Sequence, residues 1–326
     1  MNIFLRTFNP HINSKTGTLL PEGKTRGTPE WLLFERLLRE CLKALGHTIT
    51  CQLEHPQVTD DEDVYQHRRI YVHQTRRDKP NGNLFWMQMH MRELFTIDTQ
   101  GWGYDHSRRA EFPPHLIDLD TARTFCQEKS ENLLVSGISK IDQPTETDVT
   151  PARFILVPVQ TPRDYTIKHH SPITVRYFVD SVQAWAVETE NHVCFKLHPH
   201  NTLDMDIINA IQHAADNSRY VHLVNGNIHE LIKRSQGLFV INSGTGFEAL
   251  IHGKPVATFG NCDYNVATFN SDIRRIDEAR NFLYSYTKEY REIAYKYVWW
   301  FWHQVAYDVY AANTKERLTE YLRGVL

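Results

Sequence analysis

Residues 238–260 read LFVINSGTGFEALIHGKPVATFG, an apolar run followed by a turn of small residues, a helical pattern and a second apolar run. A nearly continuous apolar run such as 238–242, which ends at Asn242, is typical of a strand buried on both faces. The turn Ser243-Gly244-Thr245 then leads into a helix. Backbone N–H groups at a helix start and the positive end of its dipole favour an anion. We therefore predict a phosphate site here, without the lysine of an ATPase loop.

The rest of the C-terminal half repeats this alternation of short apolar strands and amphipathic helices. Alternation of this kind predicts an α/β fold with a parallel sheet and helices on both faces. In such sheets ligands bind beyond the carboxyl ends of the strands. The predicted strands are 154–160, 192–199, 220–225, 238–242 and 255–260, and the predicted helices are 170–187, 204–215, 228–235 and 244–253.

Four ionisable side chains are predicted to stand near those strand ends. Lys196 and His198 lie two residues apart and so share one strand face, where both could meet a phosphate. Asp164 follows strand 154–160, and a carboxylate in that place can act as nucleophile or base, although a solvated loop Asp is the simpler local interpretation. Glu248 lies one turn into the helix, within reach of the ribose hydroxyls of a bound nucleotide.

The N-terminal half and the tail carry weaker signals. Residues 28–46 form an amphipathic helix, and 145–151 resemble a linker that would mark the domain boundary. His90–Glu93 place ionisable groups inside an apolar stretch, either as a buried ion pair or for function. Lys140, in a small polar segment, could pair with an acidic substrate. The aromatic segment 295–310 predicts either a helix packed between domains or contact with a membrane interface.

Composition limits the function classes. The chain has 326 residues, 41% hydrophobic and 23% charged, with a formal net charge of −3, so two domains are expected and nucleic-acid binding is not. No apolar stretch has the length of a membrane span, and the N-terminus lacks the apolar core of a signal peptide. The five cysteines form no CxxC pair and the 18 histidines lack metal-site spacing. We expect no metal.

Several of these segments together resemble a known family. ILVPVQTPRD (155–164), KLHP (196–199) and INSGTGFEALIHGKPVATFGNCDY (241–264) are similar to the capsule polysaccharide synthesis proteins that include bacterial β-Kdo transferases. SKIDQP (139–144) resembles their QP motif and KLHP their HP motif, which sialyltransferases share. The resemblance covers about 136–265 well, and before that chiefly the MRE segment 91–93.

The resemblance implies a two-domain GT-B-like enzyme that uses a CMP-activated acidic sugar and needs no other cofactor. It assigns the CMP phosphate to His198 and the turn Ser243–Thr245, the ribose to Glu248, and the attacking carboxylate to Asp164. Glu93 matches a second acidic residue near the acceptor. For the carboxylate of the sugar, or for the acceptor, the candidates are Ser139, Lys140, Gln143 and Gln160.

The predicted organisation follows from both lines of reasoning. We expect two Rossmann-like domains facing across a cleft: 1–148 on the acceptor side and 149–280 binding the CMP-sugar donor, with C-terminal helices 281–326 packing back on the first domain. The predicted activity is retaining transfer of Kdo from CMP-Kdo to a surface polysaccharide or glycolipid, via a glycosyl-enzyme intermediate on Asp164. The expected location is the cytoplasm, with peripheral contact of 295–310 to the inner face of the bacterial inner membrane.

Two other interpretations remain open at the level of sequence. One is a sialyltransferase or another nucleotide-sugar transferase of the same architecture. The other, from a different class, is a non-catalytic glycan- or nucleotide-binding subunit of a capsule assembly complex. Addition of a sugar to the intact protein would favour the transferase, whereas nucleotide binding without turnover would favour the binding subunit.

Overall fold

The computed structural model describes residues 2–7, 28–53, 68–79, 82–198 and 204–326. They divide into two compact units: unit 1, residues 1–110 with 302–326, and unit 2, residues 111–301. The helix Leu119–Ser136 belongs to unit 2 because it packs against helices 244–251 and 288–300 of that unit. The division therefore lies at 110/111, whereas the sequence placed it at 148/149, and the tail is shared between the units.

Unit 1 is built on one six-stranded, mostly parallel sheet. Strands β2, β1, β3 and β4 run parallel, and β5 is antiparallel to β4 and to β12, in the order β12-β5-β4-β3-β1-β2. The helices pack on one face of the sheet around Phe34, Leu38, Leu318 and Leu322. The elements of unit 1 are β1 Asn2–Thr7, α1 Pro29–Ala44, β2 Thr48–Leu53, β3 Arg68–Val72, β4 Leu84–Gln88, β5 Leu94–Asp98, β12 Tyr307–Asp308 and α10 Thr314–Val325.

Unit 2 holds a fully parallel sheet in the order β8-β7-β6-β9-β10-β11, the strand order of Rossmann folds. Its β6, β9 and β10 are buried along their whole length, as their apolar runs predict. The elements are α2 Leu119–Ser136, β6 Ile155–Val159, α3 Tyr165–His170, α4 Val175–Glu188, β7 Val193–Leu197, α5 Met205–Asn217, β8 Val221–Leu223, α6 Ile228–Arg234, β9 Gly237–Val240, α7 Gly244–Ile251, β10 Val256–Thr258, β11 Phe269–Asn270, α8 Ile276–Tyr284 and α9 Lys288–Trp300.

The α/β prediction is confirmed: each unit is built on a parallel-rich sheet. α10 packs on α1 in unit 1, where Lys315 Nζ lies 2.8 Å from Glu40 Oε2, as expected of a C-terminal helix returning to the first domain. The helix predicted over 170–187 begins later, at Val175 as α4, while His170 is the last residue of the preceding helix α3. Ser171 and Pro172 separate them, because a proline disfavours helix in the residue before it.

The aromatic segment 295–310 is mostly core. Trp300, Phe301 and Trp302 are 3%, 2% and 3% exposed. Trp300 packs against Phe112 and Tyr297, and the Trp302 indole N–H donates to Asp308 Oδ2 at 3.0 Å. These three side chains are engaged in packing, whereas Trp299 is half-buried, and the contact of 295–310 with a membrane stays a prediction. Within the described residues, no helix is long and apolar enough to cross a membrane.

Candidate active site

The strand order of unit 2 reverses between β6 and β9, and Gln160 and Asn242 follow those strands at the carboxyl edge. Both side chains are buried. Gln160 Nε2 donates to Asn242 Oδ1 at 2.8 Å, and the Asn242 backbone N–H donates to Gln160 Oε1 at 3.0 Å. This two-way pair joins the two loops at the point where ligands bind in such sheets.

The Asn242 amide also donates to Thr166 O at 3.0 Å and to Asn261 O at 3.3 Å. Its N–H donors and its oxygen are therefore all engaged within the protein. Asn242 is predicted to bind the CMP-sugar and Gln160 to meet the substrate, and both stay predictions. In the structure these two side chains hold three loops together, including the one that carries Asp164.

Replacing Asn242 with Asp is expected to lower the free energy of unfolding by about 2–4 kcal/mol, because a carboxylate would face two carbonyl oxygens and cannot donate. Urea denaturation measures this loss. Asn217→Asp is the matched control, since the exposed Asn217 donates to a single carbonyl, His213 O, at 2.7 Å. Equal stability of the two variants would contradict the role given to Asn242.

Asp164 is exposed and begins α3 as its N-cap. Its Oδ1 accepts from the backbone N–H of Thr166 at 2.8 Å and from Thr166 Oγ1 at 2.6 Å. Both bonds orient the carboxylate and fall on one oxygen, which leaves Oδ2 as the oxygen directed away from them. A capping carboxylate at the carboxyl end of β6 is thus held in a fixed position near the switch point.

Glu248, only 3% exposed, lies at the centre of the charged groups of the site. It accepts a hydrogen bond from Ser139 Oγ. Burial lowers the pKa of Lys196, and the Glu248 charge opposes that shift. The same holds at Lys140, where burial lowers the pKa to about 8 against the opposing charges of Asp164 and Glu248. Two lysines and two carboxylates therefore interact electrostatically beside the switch point.

The turn before α7 is held by hydrogen bonds at Ser243. Ser243 caps the helix, accepting at Oγ from the Thr245 N–H at 3.3 Å, and its carbonyl accepts from the Tyr264 hydroxyl. A Cβ at Gly246 would lie 2.4 Å from that hydroxyl oxygen, so glycine is required there. Gly244 is exposed at the positive end of the α7 dipole. The helix start expected of an anion site is therefore formed, with the Ser243 hydroxyl acting as a cap, and phosphate binding there stays a prediction.

His198 follows β7 and is half-buried. Because the register pairs Val159 with Leu197, Gln160 and His198 leave the sheet side by side. Lys196 lies on the strand two residues earlier and is 8% exposed. The predicted Lys196–His198 pair is therefore at the carboxyl edge, while Pro199 of the same motif lies outside the described residues.

The loop that carries Ser139 and Lys140 is fastened to α6. Gln143 donates from Nε2 to Ile141 O at 2.8 Å and accepts at Oε1 from the Ile228 N–H at 3.2 Å. Gln143 therefore fixes the loop through these bonds, and its contact with the substrate stays a prediction. Lys140 is the predicted carboxylate-binding residue that brings a positive charge to this edge.

Glu93 lies in unit 1, in the turn between β4 and β5, where its carbonyl accepts from the Val309 N–H at 3.0 Å.

Burial and the carboxylates of Glu30, Glu93 and Asp308 raise the pKa of Tyr310 to about 12, and its hydroxyl donates to Glu30 Oε1 at 2.8 Å. The sequence gives no sign of this hydrogen bond between Glu30 and Tyr310, because the two residues are 280 positions apart. In the described part of the chain, no three His, Cys, Asp or Glu side chains group as a metal site would.

The Rossmann strand order of unit 2, the switch-point loops and the lysine and carboxylate side chains beside them define an α/β protein with a candidate anion site at the carboxyl edge of its parallel sheet. Residues 123–299, more than half of the chain, match the family described as capsule polysaccharide biosynthesis protein. The chain belongs to that family. The expected resemblance is thereby confirmed.

One relative and two solved structures are also similar to this chain. Protein FixF of Sinorhizobium fredii is 31% identical over 140 residues, which are 41% of this chain and 34% of FixF, so the match spans about a third of that relative. The beta Kdo 2,7 transferase of Thermosulfurimonas dismutans KpsC has the same fold, with a TM-score of 0.54 and 18% identity over 91% of this chain and 90% of that one. The beta Kdo 2,4 transferase of the same KpsC matches with a TM-score of 0.47 and 14% identity, over 79% of this chain and 87% of that one.

Proposed function

We propose that the protein is a retaining β-Kdo glycosyltransferase that moves Kdo from CMP-Kdo to a surface polysaccharide or glycolipid acceptor. The observation that carries the proposal is the group of charges at the switch point: Glu248 acts on both Lys140 and Lys196, beside the ordered, exposed carboxylate of Asp164. A donor with a phosphate and a carboxylate needs two cations, and an anomeric carbon needs a nucleophile. Family membership and the fold shared with a Kdo transferase support the same activity.

In this proposal the donor's two anionic groups are bound separately. Lys196, His198 and the start of α7 hold the CMP phosphate, because charge-assisted bonds and the helix dipole neutralise the leaving group. Lys140 holds the Kdo carboxylate. Glu248 keeps both lysines charged and could contact the ribose. No metal is required, since a monophosphate leaving group carries less charge than a diphosphate.

Retention of configuration requires two displacements at one anomeric centre. In the first, an Asp164 oxygen bonds to the anomeric carbon while the bond from that carbon to the CMP phosphate oxygen breaks, and CMP leaves with the electron pair. In the second, an acceptor hydroxyl attacks the same carbon, the Asp164 ester bond breaks, and a base takes the hydroxyl proton. By the family resemblance, Glu93 matches a second acidic residue near the acceptor.

The test is the mass of the intact protein after incubation with CMP-Kdo in the absence of acceptor. The proposal expects an adduct of one Kdo that maps to Asp164. CMP-sialic acid is offered in parallel, and an adduct from that donor alone would favour the sialyltransferase interpretation. Nucleotide binding with no adduct and no transfer to any glycan would point to the non-catalytic subunit.

Replacing His198 with Ala is expected to weaken CMP binding about tenfold, the cost of one charge-assisted hydrogen bond, without unfolding the protein. Titration calorimetry with CMP measures the change. His213→Ala is the control, because His213 is an exposed histidine on α5. Unchanged CMP affinity in His198→Ala would remove this residue from the phosphate site.

A further inference from the structure

A buried chain of hydrogen bonds runs through α2, α7 and α6 to the loop that carries Lys140. Ser130 Oγ lies 2.7 Å from His252 Nδ1, His252 Nε2 lies 3.0 Å from His229 Nδ1, and His229 Nε2 lies 2.9 Å from Ile138 O. Ser130, His252 and His229 are 7%, 6% and 0% exposed. Neither histidine was predicted as a site residue from the sequence, although His252 lies within the stretch 238–260.

The carbonyl at one end fixes the direction of the whole chain. A carbonyl can only accept, so His229 Nε2 carries the proton and, in the neutral ring, Nδ1 accepts. His252 Nε2 must then donate, His252 Nδ1 accepts, and the Ser130 hydroxyl donates. Burial, the neighbouring His229 and the charges of Lys233 and Lys254 lower the pKa of His252 to about 3, which keeps that ring neutral.

The chain ends where the candidate site begins. Ile138 O is bonded to His229, and the next residue, Ser139, donates to Glu248. Glu248 and His252 lie one helical turn apart on α7, since the His252 N–H donates to Glu248 O at 3.3 Å. Two consecutive loop residues are thus tied to the same helix, one directly and one through the two imidazoles. Lys140 follows them immediately.

The start of α6 reinforces this arrangement. Asn227 Nδ2 donates to Gly137 O at 3.0 Å, and the Asn227 N–H donates to Thr147 Oγ1 at 3.0 Å. Gly137, Ile138 and Ser139 are therefore each anchored by a hydrogen bond. With the carbonyls of Gly137 and Ile138 and the side chain of Ser139 all bonded, the next residue, Lys140, has little freedom to move.

We propose that His229 and His252 are positioning residues for donor recognition: their one-way hydrogen-bond chain fixes the backbone before Lys140 so that its ammonium group meets the donor's carboxylate. This inference rests on the proposed function, which gives Lys140 that task. Neither histidine touches the reacting atoms. Their effect passes through Ile138 O and the loop.

Two substitutions at His229 separate positioning from general stability. The Gln amide of His229→Gln can place an N–H where Nε2 stands and so keep the bond to Ile138 O. The Asn side chain of His229→Asn is shorter and can place its oxygen where Nδ1 stands, which keeps the His252 bond and loses Ile138. Each variant loses the imidazole and one buried hydrogen bond, so their thermal midpoints should fall by similar amounts.

The donor KM for CMP-Kdo should rise about tenfold in His229→Asn, with kcat changed less than about threefold, and stay within about twofold in His229→Gln. Equal donor KM values in the two variants would overturn the positioning role. A wild-type protein inactive with CMP-Kdo would instead overturn the proposed function. Imidazole ¹⁵N NMR of the wild-type chain tests the bond direction without a variant: Nε2 should be protonated in both rings, and a protonated Nδ1 in either would contradict it.

Discussion

Replacing Asp164 with Asn is expected to lower Kdo transfer at least about 10³-fold, the scale of losing a covalent nucleophile. The substitution suits the site because Asn caps helices as well as Asp does. The side-chain oxygen of Asn can accept the Thr166 bonds that Asp164 Oδ1 accepts now. The variant therefore keeps the start of α3 and removes the anionic oxygen. Transfer is measured as acceptor glycosylation, together with the intact-protein adduct.

CMP binding should be retained in Asp164→Asn, because the phosphate is assigned to other residues. Asp164→Glu should also transfer poorly, since one methylene moves the attacking oxygen by roughly 1 Å. Asp180→Asn is the control, as Asp180 is an exposed aspartate paired with Arg176 on α4. Transfer within about tenfold of wild type in Asp164→Asn would rule out double displacement at this residue and direct attention to Glu93 or to direct attack by the acceptor.

The Rossmann unit was predictable because its signals are local. Apolar runs of four to seven residues mark β6, β7 and β9, and the small-residue turn marks the start of α7. Parallel pairing then places the residues that follow those strands on one edge, so Asp164, Lys196, His198 and Ser243 could be selected from sequence.

What the sequence missed depends on contacts between distant residues. The unit boundary differs because α2 belongs with α9, and that contact leaves no local trace in either segment. Gln160 and Asn242 were selected as ligands, but they lie 82 residues apart and bond to each other. The His229–His252 pair depends on two helix faces meeting. Periodicity shows which face of a helix is buried and not which polar group it meets there.

Replacing Lys140 with Met is expected to lower kcat/KM for CMP-Kdo about 100-fold, because the donor carboxylate would lose its cation. In the wild-type protein the same dependence should appear as a function of pH. Burial lowers the pKa of Lys140 to about 8 from its usual value of 10.5. The ammonium group is therefore charged below that pH and neutral above it, so kcat/KM should fall as the pH rises through 8. Lys288→Met, at an exposed lysine, should leave the profile unchanged.

Two variants decide whether Lys140 causes that fall. Lys140→Arg keeps its charge at every pH in the assay, so its profile should stay flat above pH 8 even if its activity is lower. Asp164→Asn removes one of the two carboxylates that raise the Lys140 pKa, so donor binding by this variant should weaken from a lower pH than in the wild type. A limb near pH 8 that persists in Lys140→Arg, or that does not move in Asp164→Asn, would assign the titration to another group. An unmoved pH dependence in Asp164→Asn would also mean that Asp164 and Lys140 do not interact through their charges. The proposed donor site depends on that interaction.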